Sequence, residues 1–131
     1  MARRCCIKVR AWLYKWLPVF FGCHCRPERS FHYKGVQFPI CARCTGELAG
    51  ILIAVLTHVA GHPGAVWSAV LLAPLVLDGV IQLCTSYESR NLRRLWTGVL
   101  FGYGLTNLLL LSAAEVFRRG YAFGLELKDA L

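Results

Sequence analysis

Residues 23–30 read Cys-His-Cys-Arg-Pro-Glu-Arg-Ser, and residues 41–46 read Cys-Ala-Arg-Cys-Thr-Gly. Between them they hold four of the chain's seven cysteines, together with His24. Thiolate sulfur and imidazole nitrogen are zinc ligands, and a tetrahedral site wants four of them, commonly in two clusters separated by a loop. Cys23, Cys41 and Cys44 with either His24 or Cys25 fill such a set. The spacing of Cys23 and Cys25 is closer than that of the usual zinc knuckle. Cys41 and Cys44 form a C-x-x-C that shares one face if it opens a helix. The positive end of a helix dipole there favours thiolate over thiol. A thiolate also attacks disulfides, so a membrane thiol–disulfide oxidoreductase cycling Cys41 and Cys44 is the competing chemistry, and plain structural cysteines are the third reading. Cys84, at the end of an apolar segment, reads as a small packed hydrophobe. Cys5 and Cys6 read as inert or palmitoylated.

Arg26, Arg29 and Arg43 lie among these thiols. A guanidinium grips phosphate or carboxylate with two parallel N–H groups, so an anionic lipid head group suits them, against the simpler reading of charge anchoring at a membrane surface. Asp78 interrupts an apolar run, where an ionised carboxylate costs on the order of 3 kcal/mol. Gln82 follows it on the same helical face. Asp78 can pair with an arginine from a flanking loop, take a proton, bind metal, or form an internal ion pair. The loop after residue 84 brings Glu88, Ser89, Asn91, Arg93 and Arg94 toward the cysteines, so the two loops are expected to close over one pocket floored by Asp78 and Gln82, with Glu47 able to join. Asp78, Glu88, Arg29 and Arg43 are therefore the candidate catalytic residues, and Cys23, His24, Cys41 and Cys44 the candidate metal ligands.

The elements that must position these groups are apolar. Of 131 residues, 56% are hydrophobic, and they come in blocks at 47–61, 63–84 and 95–114. A crossing helix needs about 20 apolar residues. The second and third blocks meet that, and the first does if its helix begins near Cys44. The expected fold is an all-α helical membrane protein forming one domain over 1–131. Residues 1–22 make an interfacial basic and aromatic helix, 23–44 a cysteine-rich loop, 45–114 three transmembrane helices, and 115–131 a tail. Lys15 and Pro18 break the first apolar stretch, which argues against a cleaved leader; Trp12, Tyr14 and Trp16 among basic residues suit a helix lying on the membrane, with a short fourth crossing over 11–22 as the alternative. Gly98 and Gly102 form a G-x-x-x-G suited to close helix packing. Asn107 is expected to make a helix-to-helix hydrogen bond, and His58 and His62 to be exposed at the far turn.

The net charge of +8 is lopsided. Twelve Lys and Arg fall before residue 44 or in the loop at 85–94, and three fall in the tail. By the positive-inside rule the amino end and the cysteine loop face the cytoplasm in an integral cell-membrane protein. The basicity reads as affinity for anionic lipid, with no aromatic-interleaved groove of the kind that binds nucleic acid. In the reducing cytoplasm, close cysteines bind metal or do catalysis more often than they form staples.

Cys-His-x-x-Pro-Glu-Arg-Ser (from Cys23), Cys-Ala-Arg-Cys-Thr-Gly (from Cys41), the Leu-Asp-Gly around Asp78, and Glu88-Ser89-Arg90-Asn91-Leu92-Arg93 resemble a family of small prokaryotic integral membrane proteins catalogued as a domain of unknown function. The resemblance spans residues 21–104. Cys25 stands where members carry a polar residue, which implies His24 as the fourth ligand. The expectation is a membrane-embedded zinc site at the cytoplasmic interface that binds or acts on an anionic head group. A non-enzymatic subunit of a membrane complex, or a homo-oligomer, is the further alternative.

Overall fold

The computed structural model describes residues 2–130, with side chains described at residue 9 and at 11–128. Arg3, Arg4, Cys5 and Cys6 thus lie outside the described side chains. The elements in order are α1 (Ala2–Phe20), a 3-10 turn (Pro27–Arg29), β1 (Ser30–Tyr33), β2 (Val36–Cys41), α2 (Ala42–Thr57), α3 (Ala65–Val70), α4 (Ala73–Cys84) and α5 (Asn91–Ala130). The chain is mostly helical, but it is not all-α as expected. What was read as a cysteine loop contains a β-hairpin. β1 and β2 pair antiparallel with Tyr33 opposite Val36. The two-residue turn between them puts both Lys34 (φ 49°) and Gly35 (φ 76°) in the left-handed region, the backbone that matches the twist of a tight hairpin.

The hairpin is fastened on both sides. Gln37 donates from Nε2 to the Cys25 carbonyl at 2.9 Å and to Ser30 Oγ at 3.2 Å. The Tyr14 hydroxyl of α1 donates to the Gln37 carbonyl at 2.7 Å. The 3-10 turn is tied in turn to the start of α5, where Asn91 Nδ2 donates to the Glu28 carbonyl at 3.1 Å.

Two helical stretches are long and apolar enough to cross a membrane, Ala65–Cys84 and Asn91–Lys128. The first is α3 and α4 in tandem, interrupted at Leu71–Leu72. Pro74 explains the interruption: it has no N–H to give, and its ring crowds the carbonyl one turn back. α2, the expected first crossing, has 16 residues, about 24 Å of helix. The tail at 115–130 continues α5 as helix, with Glu115 paired to Arg118 and Arg119 on its surface. Cys84, expected to be packed, is exposed at the end of α4.

α2 and α5 run parallel and almost touch backbone to backbone. A Cβ added at Gly98 would meet the Arg43 carbonyl, one at Gly102 the Glu47 carbonyl, one at Gly46 the Leu95 carbonyl, and one at Gly50 the Val99 carbonyl. The expected G-x-x-x-G of α5 thus faces a second one in α2, Gly46 and Gly50, which the sequence reading passed over. Lipid offers no hydrophobic drive to pair two apolar helices, so this close approach is what holds them. α3 packs on α5 as well, where Gly104 lies against the Ser68 carbonyl. Because the overlaps are with backbone, no side chain can swing aside. Gly98→Ala and Gly50→Ala should each lower resistance to unfolding in detergent by about 1–3 kcal/mol. Gly79→Ala, where nothing lies within 4 Å, should leave it unchanged or raise it slightly.

Candidate metal centre

Cys23 follows α1 through a helix-ending turn. Gly22 sits at φ 57°, and the Cys23 N–H closes on the Pro18 carbonyl at 2.8 Å while the Gly22 N–H reaches Val19. This is the left-handed glycine stop that lets a chain leave a helix at a defined angle. Cys41 ends β2 and is the N-cap of α2, and Cys44 stands one turn in, buried. Hairpin and helix therefore deliver the later pair to one point, and the turn after α1 delivers Cys23 to it.

The sulfur atoms of Cys23, Cys41 and Cys44 lie within 4.8 Å of one another. Those of Cys41 and Cys44 share a hydrogen bond at 3.5 Å, and the Cys41 N–H donates to the Cys23 sulfur at 3.1 Å. Three sulfurs on a tetrahedral zinc ion, each at about 2.3 Å, stand about 3.8 Å apart. The triad is compact enough that a modest contraction would let it hold a metal ion. The hydrogen bond with Cys44 is the main cause that pulls the Cys41 thiol from its ordinary 9.0 down to about 5, aided by the backbone N–H groups of Cys44 and Arg43.

His24 does not join the triad. It is exposed on the wall of the adjoining cavity, so the fourth ligand implied by the resemblance is not among the three that converge. Cys25 is turned away, at φ 47°, and its thiol donates to the carbonyls of Pro39 at 3.2 Å and Cys23 at 3.5 Å. Burial pushes that thiol up, which keeps it protonated. The cavity beside the triad measures about 310 Å³ and is walled by the three cysteines of the triad, His24, Arg26, Arg29 and Arg43.

The other expected site residues form a ladder behind this wall. Arg43 pairs with Asp78 at 2.6 Å. The same carboxylate oxygen accepts from Gln82 Nε2 at 2.6 Å and from Ser89 Oγ at 3.2 Å. Arg94, buried, donates to Ser89 Oγ at 3.1 Å and pairs with Glu88 at 3.3 Å, and Glu88 pairs with Arg29 at 2.8 Å. The ladder so returns to the cavity. Asp78 was expected as a pocket floor; it stands instead behind Arg43 and, like Glu88, does not line the cavity. Glu47 is half-buried against α5 and does not join it either. Ser89 and Arg94 are the partners whose part was not legible, because nothing in a polar loop marks which hydroxyl or guanidinium will turn inward.

At the other end of α2, His58 is half-buried instead of exposed. Its Nδ1 lies 3.4 Å from Oδ1 of the fully buried Asn107, and its ring stacks on His62 at 4.7 Å between centroids. This is the helix-to-helix contact expected of Asn107.

Removing one side of a buried ion pair strands the other charge. Asp78→Asn should therefore cost on the order of 3 kcal/mol of stability in detergent, and Arg43→Leu with Asp78→Leu should recover most of it. A double variant no better than the single would show that the pair does not hold α2 to α4.

The family described as "Predicted membrane protein (DUF2085)" matches residues 23–108, from Cys23 through the first half of α5. An uncharacterized protein of Methanothermobacter thermautotrophicus is 42% identical over 91 residues, covering 66% of this chain and 82% of its own. The uncharacterized protein MJ1492 of Methanocaldococcus jannaschii is 30% identical over 95 residues, covering 67% of this chain and 61% of its own. No solved structure matches. With two apolar helices long enough to span a bilayer and a family match over most of its length, the chain belongs to the DUF2085 family of predicted membrane proteins.

Proposed function

We propose that the protein holds a zinc ion on Cys23, Cys41 and Cys44 at the cytoplasmic surface of the cell membrane, with the ion's fourth position open to the arginine-lined cavity. The observation that carries this is the convergence of three sulfurs from two separate segments, with no fourth donor in the group among the described residues. Three protein ligands with an open position characterise sites that bind or activate a ligand, whereas four closed ones characterise structural sites. Bound there, zinc would act as a Lewis acid toward the ligand. The anionic character of that ligand follows from the arginines, and a lipid head group at the surface is the nearest source.

The proposal carries a three-pass topology. α2 is short, but it runs parallel to α5 while α3 and α4 run back between their ends, and the turn at 58–61 adds length through Thr57-capped hydrogen bonds. Basic residues concentrated at the end that carries the cysteines support its cytoplasmic orientation. α1, with Trp12 and Trp16 exposed, lies on that surface.

A thiol–disulfide role is the second reading, favoured by the 3.5 Å approach of Cys41 and Cys44 and the low Cys41 value. Elemental analysis separates the two. Protein purified in mild detergent should carry one equivalent of zinc, lost in Cys23→Ser and Cys41→Ser and retained in His24→Ala. Absence of metal together with a Cys41–Cys44 disulfide would establish the redox reading instead.

The low Cys41 value gives an independent check on metal-free protein. A thiol depressed on folding stays ionised down to its folded value, so the stability it contributes is full above about 9 and vanishes as pH falls through about 5. Maleimide labelling of Cys41, read by peptide mass, should therefore rise with a midpoint near 5, and a midpoint near 9 would contradict the shared-proton arrangement.

A further inference from the structure

The wall of the cavity carries more positive charge than a metal site requires. Three of its residues are arginines and none is a carboxylate. Arg26 makes no side-chain hydrogen bond among the described residues. Arg29 commits Nε and Nη2 to one oxygen of Glu88, at 2.9 and 2.8 Å, and Arg43 commits Nη2 to Asp78. Their other N–H groups have no partner among the described residues, and Arg43 Nε is buried without one.

We propose that this wall is a clamp for a dianionic phosphate group, with Arg26, Arg29 and Arg43 as donors and with Asp78 and Glu88 as positioning residues. The proposal deepens the metal-centre reading and rests on it for the nature of the cavity. Its chemistry follows from charge and geometry. A zinc ion on three thiolates carries one net negative charge, which three guanidinium groups outweigh by two. Asp78 and Glu88 offset two of these from behind the wall and Arg94 restores one; Glu47, which feels Cys41 and Arg43, and Glu28 also stand outside the lining, so the positive excess belongs to the cavity wall itself. Guanidinium forks match tetrahedral phosphate oxygens in parallel pairs, and each acts best when its plane is already held. Glu88 and Asp78 do the holding. A cavity of about 310 Å³ is at the small end of ligand sites, the size of a head group and not of a larger cofactor. Inorganic phosphate and the phosphomonoester head of a lipid share this chemistry.

The test uses the full chain in nanodiscs with zinc content measured in every sample. In one arm, inorganic phosphate is titrated into phosphatidylcholine discs by calorimetry; in the other, retention of phosphatidic acid is measured after reconstitution in mixed lipid. Saturable binding in the first arm identifies soluble phosphate, and binding only in the second identifies the lipid. Arg29→Gln and Arg26→Gln should each weaken binding about tenfold with zinc unchanged. Arg26→Gln breaks no hydrogen bond of the described residues, so it remains informative if the Arg29 variant does not fold. Glu88→Gln should weaken binding severalfold at constant zinc, and Glu88→Asp should restore part of it, which a merely structural role would not predict. Zinc without phosphate or lipid binding, or binding indifferent to Arg26 and Arg29, overturns the clamp and leaves the metal reading standing. Arginine-dependent binding without zinc overturns only the metal reading.

Discussion

The ion pair between Arg43 and Asp78 is the constraint on which the arrangement turns. Arg43 lies in the first turn of α2, between Cys41 and Cys44, and Asp78 lies in α4, only 6% exposed. A carboxylate at that depth needs a counter-charge, and this one is supplied from the turn that also supplies Cys41 and Cys44. The requirement of the membrane helices for neutrality therefore fixes the rotation of α2, and with it the direction in which its thiols point. The glycine contacts with α5 set the distance, and the ion pair sets the angle.

From there the structure is built outward in polar steps. Gln82 and Ser89 complete the shell of Asp78, Arg94 links Ser89 to Glu88, and Glu88 holds Arg29 at the cavity. The cavity is thus a surface feature with an intramembrane foundation. On the opposite side, the hairpin and α1 close the chain around Cys23 through Gln37 and Tyr14. The cysteine triad and the arginine wall share one support through Arg43.

What the sequence could show followed from residue types with one physical outcome. Asp78 in an apolar run had to find a cation, and a guanidinium from a flanking segment was foreseeable. C-x-x-C at the start of a helix had to share a face, and Gly98 with Gly102 had to mark a close contact. The hairpin was missed because its signal is short: Lys34 fills a left-handed position more often given to Asn or Gly, and the apolar run Phe38-Pro39-Ile40 hides any alternation of polar and apolar residues. Gly46 and Gly50 were hidden beside the more conspicuous chemistry of Cys44 and Glu47. His24 was assigned by resemblance to a motif, and proximity in sequence to Cys23 proved no guide to direction, since the chain turns at Cys25. Depth in the bilayer left no mark that composition could read, so the 16 residues of α2 emerged only with the helix ends.

The central claim is that three sulfurs share one ion whose remaining position belongs to the cavity. X-ray absorption at the zinc edge of the membrane-reconstituted protein tests it most directly. The account predicts three sulfur scatterers at about 2.3 Å and one lighter oxygen or nitrogen neighbour that changes when phosphate is added. Four sulfur scatterers, or a lighter neighbour that phosphate leaves unchanged, would contradict it.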